Sequence, residues 1–229
     1  MPIPCPHFKI TIVKRSQGQS AVAGAAYQSG ERLFSEYDQK QKYYSEKRGI
    51  VHTEIMLPPH APEIYLDRAT LWNAVENCEK HPKAQLAYSF DIAMQNELTL
   101  EENMELARKF VQEQFVTKGM IADLAFHSPE KEDGGIPNPH FHVMTTMRPL
   151  NPDGTWGQKQ RREYLLDEDG NRIRDKNGDY MFNAVHTTDW HEPETLEHWR
   201  EQWPLIQNLR KKGWMCVSTT VPMCGRGLT

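Results

Sequence analysis

One stretch constrains this chain more than any other: Asn138-Pro139-His140-Phe141-His142-Val143-Met144. Asn-Pro is turn chemistry, because proline fixes its own φ and pushes the preceding residue out of the helical region. The alternation that follows predicts a β-strand. Side chains two apart on a strand share a face, so His140 and His142 lie on one side and Phe141 and Val143 on the other. Two imidazoles in that arrangement can bind one cation through neutral ring nitrogens. A third ligand is offered by His127, which ends the apolar run Met120 to Phe126. The polar loop from Ser128 to Asn138 then reads as a hairpin connection that returns the chain beside His127. A lone histidine is usually an ordinary core or surface residue. Polar groups converging on apolar strands are costly unless used, and that favours a site.

The remaining chain bounds the partners. Its 229 residues suffice for one large domain or a domain with appendages. No apolar run is long enough to span a membrane and the N-terminus lacks a signal-peptide core, so no membrane association and a cytoplasmic compartment are expected. The net charge of −4 argues mildly against a polyanion partner. Residues 9–48, however, carry Lys9, Lys14, Arg15, Arg32, Lys40, Lys42, Lys47 and Arg48 against four acids, and Lys159, Arg161 and Arg162 form a second cluster. Local patches of this kind can serve a polyanion. Cys5, Cys78, Cys216 and Cys224 show no CxxC spacing and read as free thiols.

Phe8 to Lys14 alternates as a first strand. Ser20 is a good N-cap for a short helix of small residues, Ala21 to Tyr27. Tyr27 is the one large polar group on that helix. From the helix alone it reads as a core tyrosine, and the alternative is a nucleophile. A phenol, with an ordinary pKa of about 10, needs a nearby cation or base to react near neutrality. Glu31 to Arg48 interleaves Tyr37, Tyr43 and Tyr44 with Lys and Arg, which fits either an exposed hairpin or a grip on single-stranded nucleic acid. Ile50 to Leu57 is a second strand. A helix over roughly 63–80 is expected to set Ile64, Leu71, Trp72, Val75 and Cys78 on or near one stripe. Gln85 to Met94 is a third strand with Asp91 on the face opposite Phe90. Thr99 and Glu102 form a capping-box signature for a helix to about Val116. Turn signals from Asn151 onward mark residues 151–190 as a hairpin-rich polar insertion, and a last amphipathic helix holds Leu196, Trp199 and Trp203. The order predicts an α+β fold: an antiparallel sheet of about five strands backed by helices on one face, with the other face open for a site.

These segments resemble a known family. Gly18-Gln19-Ser20-Ala21-Val22-Ala23-Gly24-Ala25-Ala26-Tyr27 with Gln28 to Leu33 looks like the first motif of MobA/MobL-type plasmid mobilization relaxases, which are HUH endonucleases. Asn138 to His142 with His127 looks like their metal motif. Thr53 to Pro58, Leu71 to Glu76 and Thr195 to Arg200 fit as well, so the resemblance covers residues 1–203. It implies an RRM-like palm in which Tyr27 is the nucleophile, His127, His140 and His142 bind Mg²⁺ or Mn²⁺, and Asp91 is a base or orients a ligand histidine. The implied reaction nicks one strand of DNA at a transfer origin. Tyr27 takes the 5′-phosphate and a 3′-hydroxyl is released. The basic residues Lys14, Arg15, Arg32, Lys159, Arg161 and Arg162 would hold single-stranded DNA, with relaxosome accessory proteins and a coupling protein as further partners. A non-cleaving single-strand-binding module and a rolling-circle replication initiator are the alternatives. Placement of the tyrosine before the histidines favours mobilization over the latter.

Residues 204–229 depart from the family pattern. Codons for Gly213 to Thr229 can be chosen so that the frame one base earlier spells LDVRIDHRSYVRQGFD, close to how such relaxases continue. A one-base deletion near Trp203 and Pro204 is therefore expected, leaving 204–229 as a frameshifted tail.

Overall fold

In a computed structural model of the protein, which describes residues 7–44, 48–129 and 138–211, the secondary structure runs as follows. The elements are β1 (Phe8–Lys14), α1 (Ala21–Ser29), β2 (Leu33–Ser35), β3 (Lys40–Lys42), β4 (Ile50–Met56), α2 (Arg68–Cys78), β5 (Gln85–Ala93), α3 (Leu100–Gln114), β6 (Ala122–His127), β7 (His140–Thr146), β8 (Gln160–Tyr164), β9 (Phe182–His186) and α4 (Pro193–Lys211). Five strands form one antiparallel sheet in the order β1-β5-β7-β6-β4. The α+β class and the five-stranded antiparallel sheet are as expected.

The helices are distributed differently from the one-sided backing read from the sequence. On one face Tyr88, Phe90, Ile92, Leu124, Phe126, Phe141 and Val143 pack against α3 and α4 through Phe110, Phe115, Trp199 and Trp203. On the other face Ala87, Ile121 and Met144 pack against α1 and α2 through Ala25, Leu71 and Trp72. The alternation of β7 decides which residues go where: Phe141 and Val143 are fully buried under the first pair of helices, while His140 and His142 point to the face that α1 crosses. That face is therefore partly covered, and the cover carries Tyr27.

Local signals explain the helix ends. Ser20 accepts from the Ala23 amide at 3.1 Å, and Gly30, at φ 71°, closes α1 in the left-handed region that glycine tolerates. Thr99 and Glu102 make the reciprocal capping box of α3. The expected helix over 63–80 is broken at Asp67, whose carboxylate caps α2 by accepting from the Thr70 amide at 2.8 Å. The turn before it leaves Ile64 exposed rather than on the buried stripe.

The stretch from Glu31 holds the small β2–β3 hairpin. The 151–190 insertion holds the β8–β9 hairpin and further bridges, with Arg172 over Tyr164 and Arg174 over Tyr180, each at 3.9 Å. Helix α4 runs through Pro204, and Ile206 and Gln207 are buried. Residues 212–229, with Cys216 and Cys224, and also Cys5 lie outside the described residues. Cys78 is a free thiol. No described helix is long and apolar enough to cross a membrane.

Candidate functional site

Strand register builds the cluster. His127 on β6 pairs with His140 on β7, and His142 pairs with Ala125 on one side and Asp91 on the other. Directly opposed residues of antiparallel strands share a face, so the three histidines and Asp91 all project to the α1 side. The ring centroids of His127 and His142 are 4.7 Å apart, those of His140 and His142 5.0 Å, and those of His127 and His140 5.2 Å. One ring nitrogen from each lies within 4.8 Å of the others, close enough to converge on one cation.

A carbonyl can only accept, so the neighbouring carbonyls assign two ring protons. His140 donates from Nδ1 to the Asn138 carbonyl at 2.8 Å, leaving Nε2 with its lone pair. His127, 1% exposed, donates from Nε2 to the Gln28 carbonyl at 2.8 Å. Three imidazoles converging on apolar strands, two of them oriented by carbonyls, fit a divalent transition ion in donor chemistry.

Tyr27 is 48% exposed on the last turn of α1, its ring packed edge-on against Tyr44 at 5.4 Å. The helix lies close to the histidine strand: a Cβ at Gly24 would come within 3.1 Å of the Met144 sulfur. Met144 is two residues from His142 on the same face. Gln28 also donates from its side chain to the Asp123 carbonyl of β6 at 3.1 Å. Asp91, across the sheet from His142, has its carboxylate 3.3 Å from Nε2 of His7.

The sequence profile described as the MobA/MobL family matches residues 19–213. The chain belongs to the MobA/MobL family. It is 38% identical over 186 residues to the conjugal transfer protein TraA of Agrobacterium fabrum, an alignment covering 77% of this chain and 16% of the relative. It is 32% identical over 169 residues to the probable mobilization protein MobA of Bifidobacterium longum, covering 73% of this chain and 29% of the relative. A solved structure described as "Molecular Basis of Vancomycin Resistance Transfer in Staphylococcus aureus" is similar with a TM-score of 0.71 and 32% identity, over 90% of this chain and 93% of that one. The chain thus spans about a sixth of the TraA length.

The basic residues expected to hold DNA fare unevenly in this MobA/MobL domain. Arg15 is buried, donates to the main-chain carbonyls of Glu76 (3.2 Å) and Glu79, and lies 3.8 Å from the Glu76 carboxylate. Its charge is consumed in tying β1 to α2. Lys159 is likewise engaged within the fold. It donates to the Gln85 carbonyl at 2.7 Å and pairs with Glu79 at 2.9 Å, and burial pushes its ammonium below the usual range against the pull of Glu79. Gln85 opens β5 and Asp91 stands six residues on, so Lys159 anchors at the end of the sheet roughly 20 Å from the histidines. Arg161 is exposed and paired with Glu163 at 2.7 Å. Arg162 stacks on Phe182 at 4.5 Å and Arg32 on Tyr43 at 4.7 Å, both exposed. Lys14 is half-buried at the end of β1.

Sequence reasoning missed three groups beside the site. His7 precedes the first strand and meets Asp91 only through the β1–β5 pairing. Gln28 follows the tyrosine but carries no motif of its own. Asp123 is fully buried and accepts from Arg68 Nε and Nη2 at 2.9 Å each and from Trp72 Nε1 at 2.8 Å. Burial pushes its carboxyl up against those donors, while Asp123 holds the Arg68 guanidinium, itself disfavoured by burial, above its ordinary range. The signal available was an acid in an apolar strand, and its partner lies 55 residues away.

Proposed function

We propose that this domain is a DNA relaxase that nicks one strand at a transfer origin by tyrosine transesterification, in mobilization of a plasmid. The observation that carries the proposal is the meeting, on one sheet face, of the His127/His140/His142 cluster with the helix whose last turn carries the exposed Tyr27. Family membership and relatives named for conjugal transfer and mobilization support it.

When bound, a divalent cation supplies Lewis-acid polarisation of the scissile phosphodiester. The all-nitrogen donor set suits Mn²⁺ better than Mg²⁺, which prefers oxygen. The Tyr27 oxygen bonds to phosphorus, the bond from phosphorus to the 3′-oxygen breaks, and that oxygen takes up a proton. The 5′-phosphate stays on Tyr27 as a phosphodiester, so the exchange is reversible and the strand can be rejoined. Asp91, with His7 against it, is the proposed acceptor of the phenol proton. Lys14, Arg15, Arg32, Lys159, Arg161 and Arg162 are the proposed contacts to single-stranded DNA in a cytoplasmic setting, with Arg15 and Lys159 already engaged by Glu76 and Glu79. Accessory proteins of the relaxosome and a coupling protein are its proposed partners. A one-base deletion near the codons for Trp203 and Pro204 is proposed to have shifted the frame and left 204–229 as a non-native tail, and resequencing the gene around codon 204 tests this.

The decisive experiment incubates a labelled oligonucleotide carrying the cognate origin with Mn²⁺ and the protein. A covalent adduct that disappears in Tyr27→Phe, without loss of folding, is expected. Binding with no adduct in the unmutated protein overturns the enzyme reading in favour of a binding module.

A further inference from the structure

Beside Tyr27 lies a cleft of about 580 Å³ between the turn after β1, the start of α1 and the β2–β3 hairpin. That size is in the range of small-ligand pockets. Its walls include the rings of Tyr27, Tyr37 and Tyr44, which are 48%, 59% and 40% exposed. The only other tyrosine that α1 and the hairpin carry, Tyr43, stacks on Arg32. Tyr37 is seated on the guanidinium of Arg15 at 4.1 Å, and Arg15 is itself buried and fixed by Glu76 and Glu79. Tyr44 stands perpendicular to Tyr27. These rings are therefore held rather than loose.

The electrostatics of the cleft say what it takes. Arg15 faces Glu76, and Lys42 is paired with Asp38. Both cations on the wall are neutralised by neighbours, so the cleft is poorly made for a phosphate. What remains is aromatic surface, and base-on-aromatic stacking is the sequence-tolerant means by which single strands are gripped.

We propose that this cleft is a nucleobase pocket, in which one unpaired base of the DNA strand stacks against Tyr37 and Tyr44 next to the phosphate that Tyr27 attacks. The inference rests on the single-stranded DNA substrate proposed above and adds the subsite that would hold the strand in place. Tyr37 and Tyr44 are positioning residues, since neither touches the reacting atoms.

The test is equilibrium binding by fluorescence anisotropy in EDTA, so that no nicking takes place and the outcome does not depend on it. A labelled oligo-dT is compared with an abasic oligonucleotide of the same length. The unmutated protein is expected to bind the dT strand more tightly. In the Tyr37→Ala/Tyr44→Ala variant the dT affinity should fall roughly tenfold, the size of a lost base stack, and the abasic affinity should stay unchanged. Tyr37→Phe should retain the preference. Melting curves check that each variant is folded. A double variant that still prefers dT by the original margin overturns the pocket, as does a protein that never distinguishes the two strands. Loss of the preference in a protein that forms no adduct would sink the nicking reading and leave the pocket standing.

Discussion

The imidazole of His127 and the main chain of Gln28 are joined by a hydrogen bond of 2.8 Å, with Nε2–H donating to the carbonyl. Gln28 directly follows Tyr27, and its own amide reaches the Asp123 carbonyl four residues before His127. Helix α1 is thus stapled twice to β6, and the phenol is attached one residue from a contact of the histidine cluster. Held in this way, the phenol proposed as nucleophile needs little reorganisation to meet a phosphate at that cluster.

The spacing of α1 above β7 should matter as much as its staples. An alanine at position 24 would put its Cβ 3.1 Å from the Met144 sulfur and 3.4 Å from its Cε. Methionine is flexible enough to keep the variant folded, but Met144 is 1% exposed and has little room to move aside, so in Gly24→Ala part of the few tenths of an ångström is taken by a lift of α1. Adduct formation is expected to slow roughly tenfold, because misplacement of reacting groups by fractions of an ångström is costly. Single-turnover nicking reads this, and an unchanged rate would show that Gly24 does not set the height.

His140 is half-buried and its ring is held only by the Asn138 carbonyl among its assigned hydrogen bonds. His140→Ala should therefore fold while losing the cation. Metal analysis after dialysis should fall from about one ion per chain to a small fraction of that. The rise in melting temperature on adding Mn²⁺ should vanish with it. Retention of stoichiometric metal would mean that the three imidazoles are not the ligands.

The Arg68–Asp123 pair, with Trp72 as a third partner, clamps α2 to β6 inside the protein. Removing one partner leaves a buried charge unmatched, so Arg68→Met should cost about 3–5 kcal/mol of stability. Adding Asp123→Leu should recover only part of that loss, because the buried Trp72 N–H then lacks its acceptor, and the two single variants should be far from additive. Urea unfolding of the four proteins closes the cycle. Additivity would show that the two charges do not depend on each other.

Tyr88 supplies a pH dependence. Burial pushes its phenol up to about 12. An unfolded tyrosine loses its proton near pH 10, so the unfolded chain releases it first. Stability is then intact below about pH 10 and declines as pH rises through 12, by about 2–3 kcal/mol in all. Tyr88→Phe should flatten this alkaline fall in denaturant midpoints measured between pH 9 and 12. The same decline in the variant would assign it to other groups.

What the sequence determined by itself was whatever depends on neighbours within a turn or two. Strand alternation put His140 and His142 on one face, Ser20 capped α1, and Thr99 with Glu102 capped α3, because periodicity and capping are local properties of the backbone. The motif around Tyr27 and the histidine pair, read together, also pointed to the family. Only the tertiary structure decided which face of the sheet α1 and α2 would cover, that His7 would meet Asp91, and that Asp123 would find Arg68. It also decided that Arg15 and Lys159 would pair with Glu76 and Glu79, while Arg32 and Arg162 stack on exposed rings. A side chain's charge is written in its identity, but whether that charge is free depends on partners brought from more than sixty residues away, and no local pattern records them.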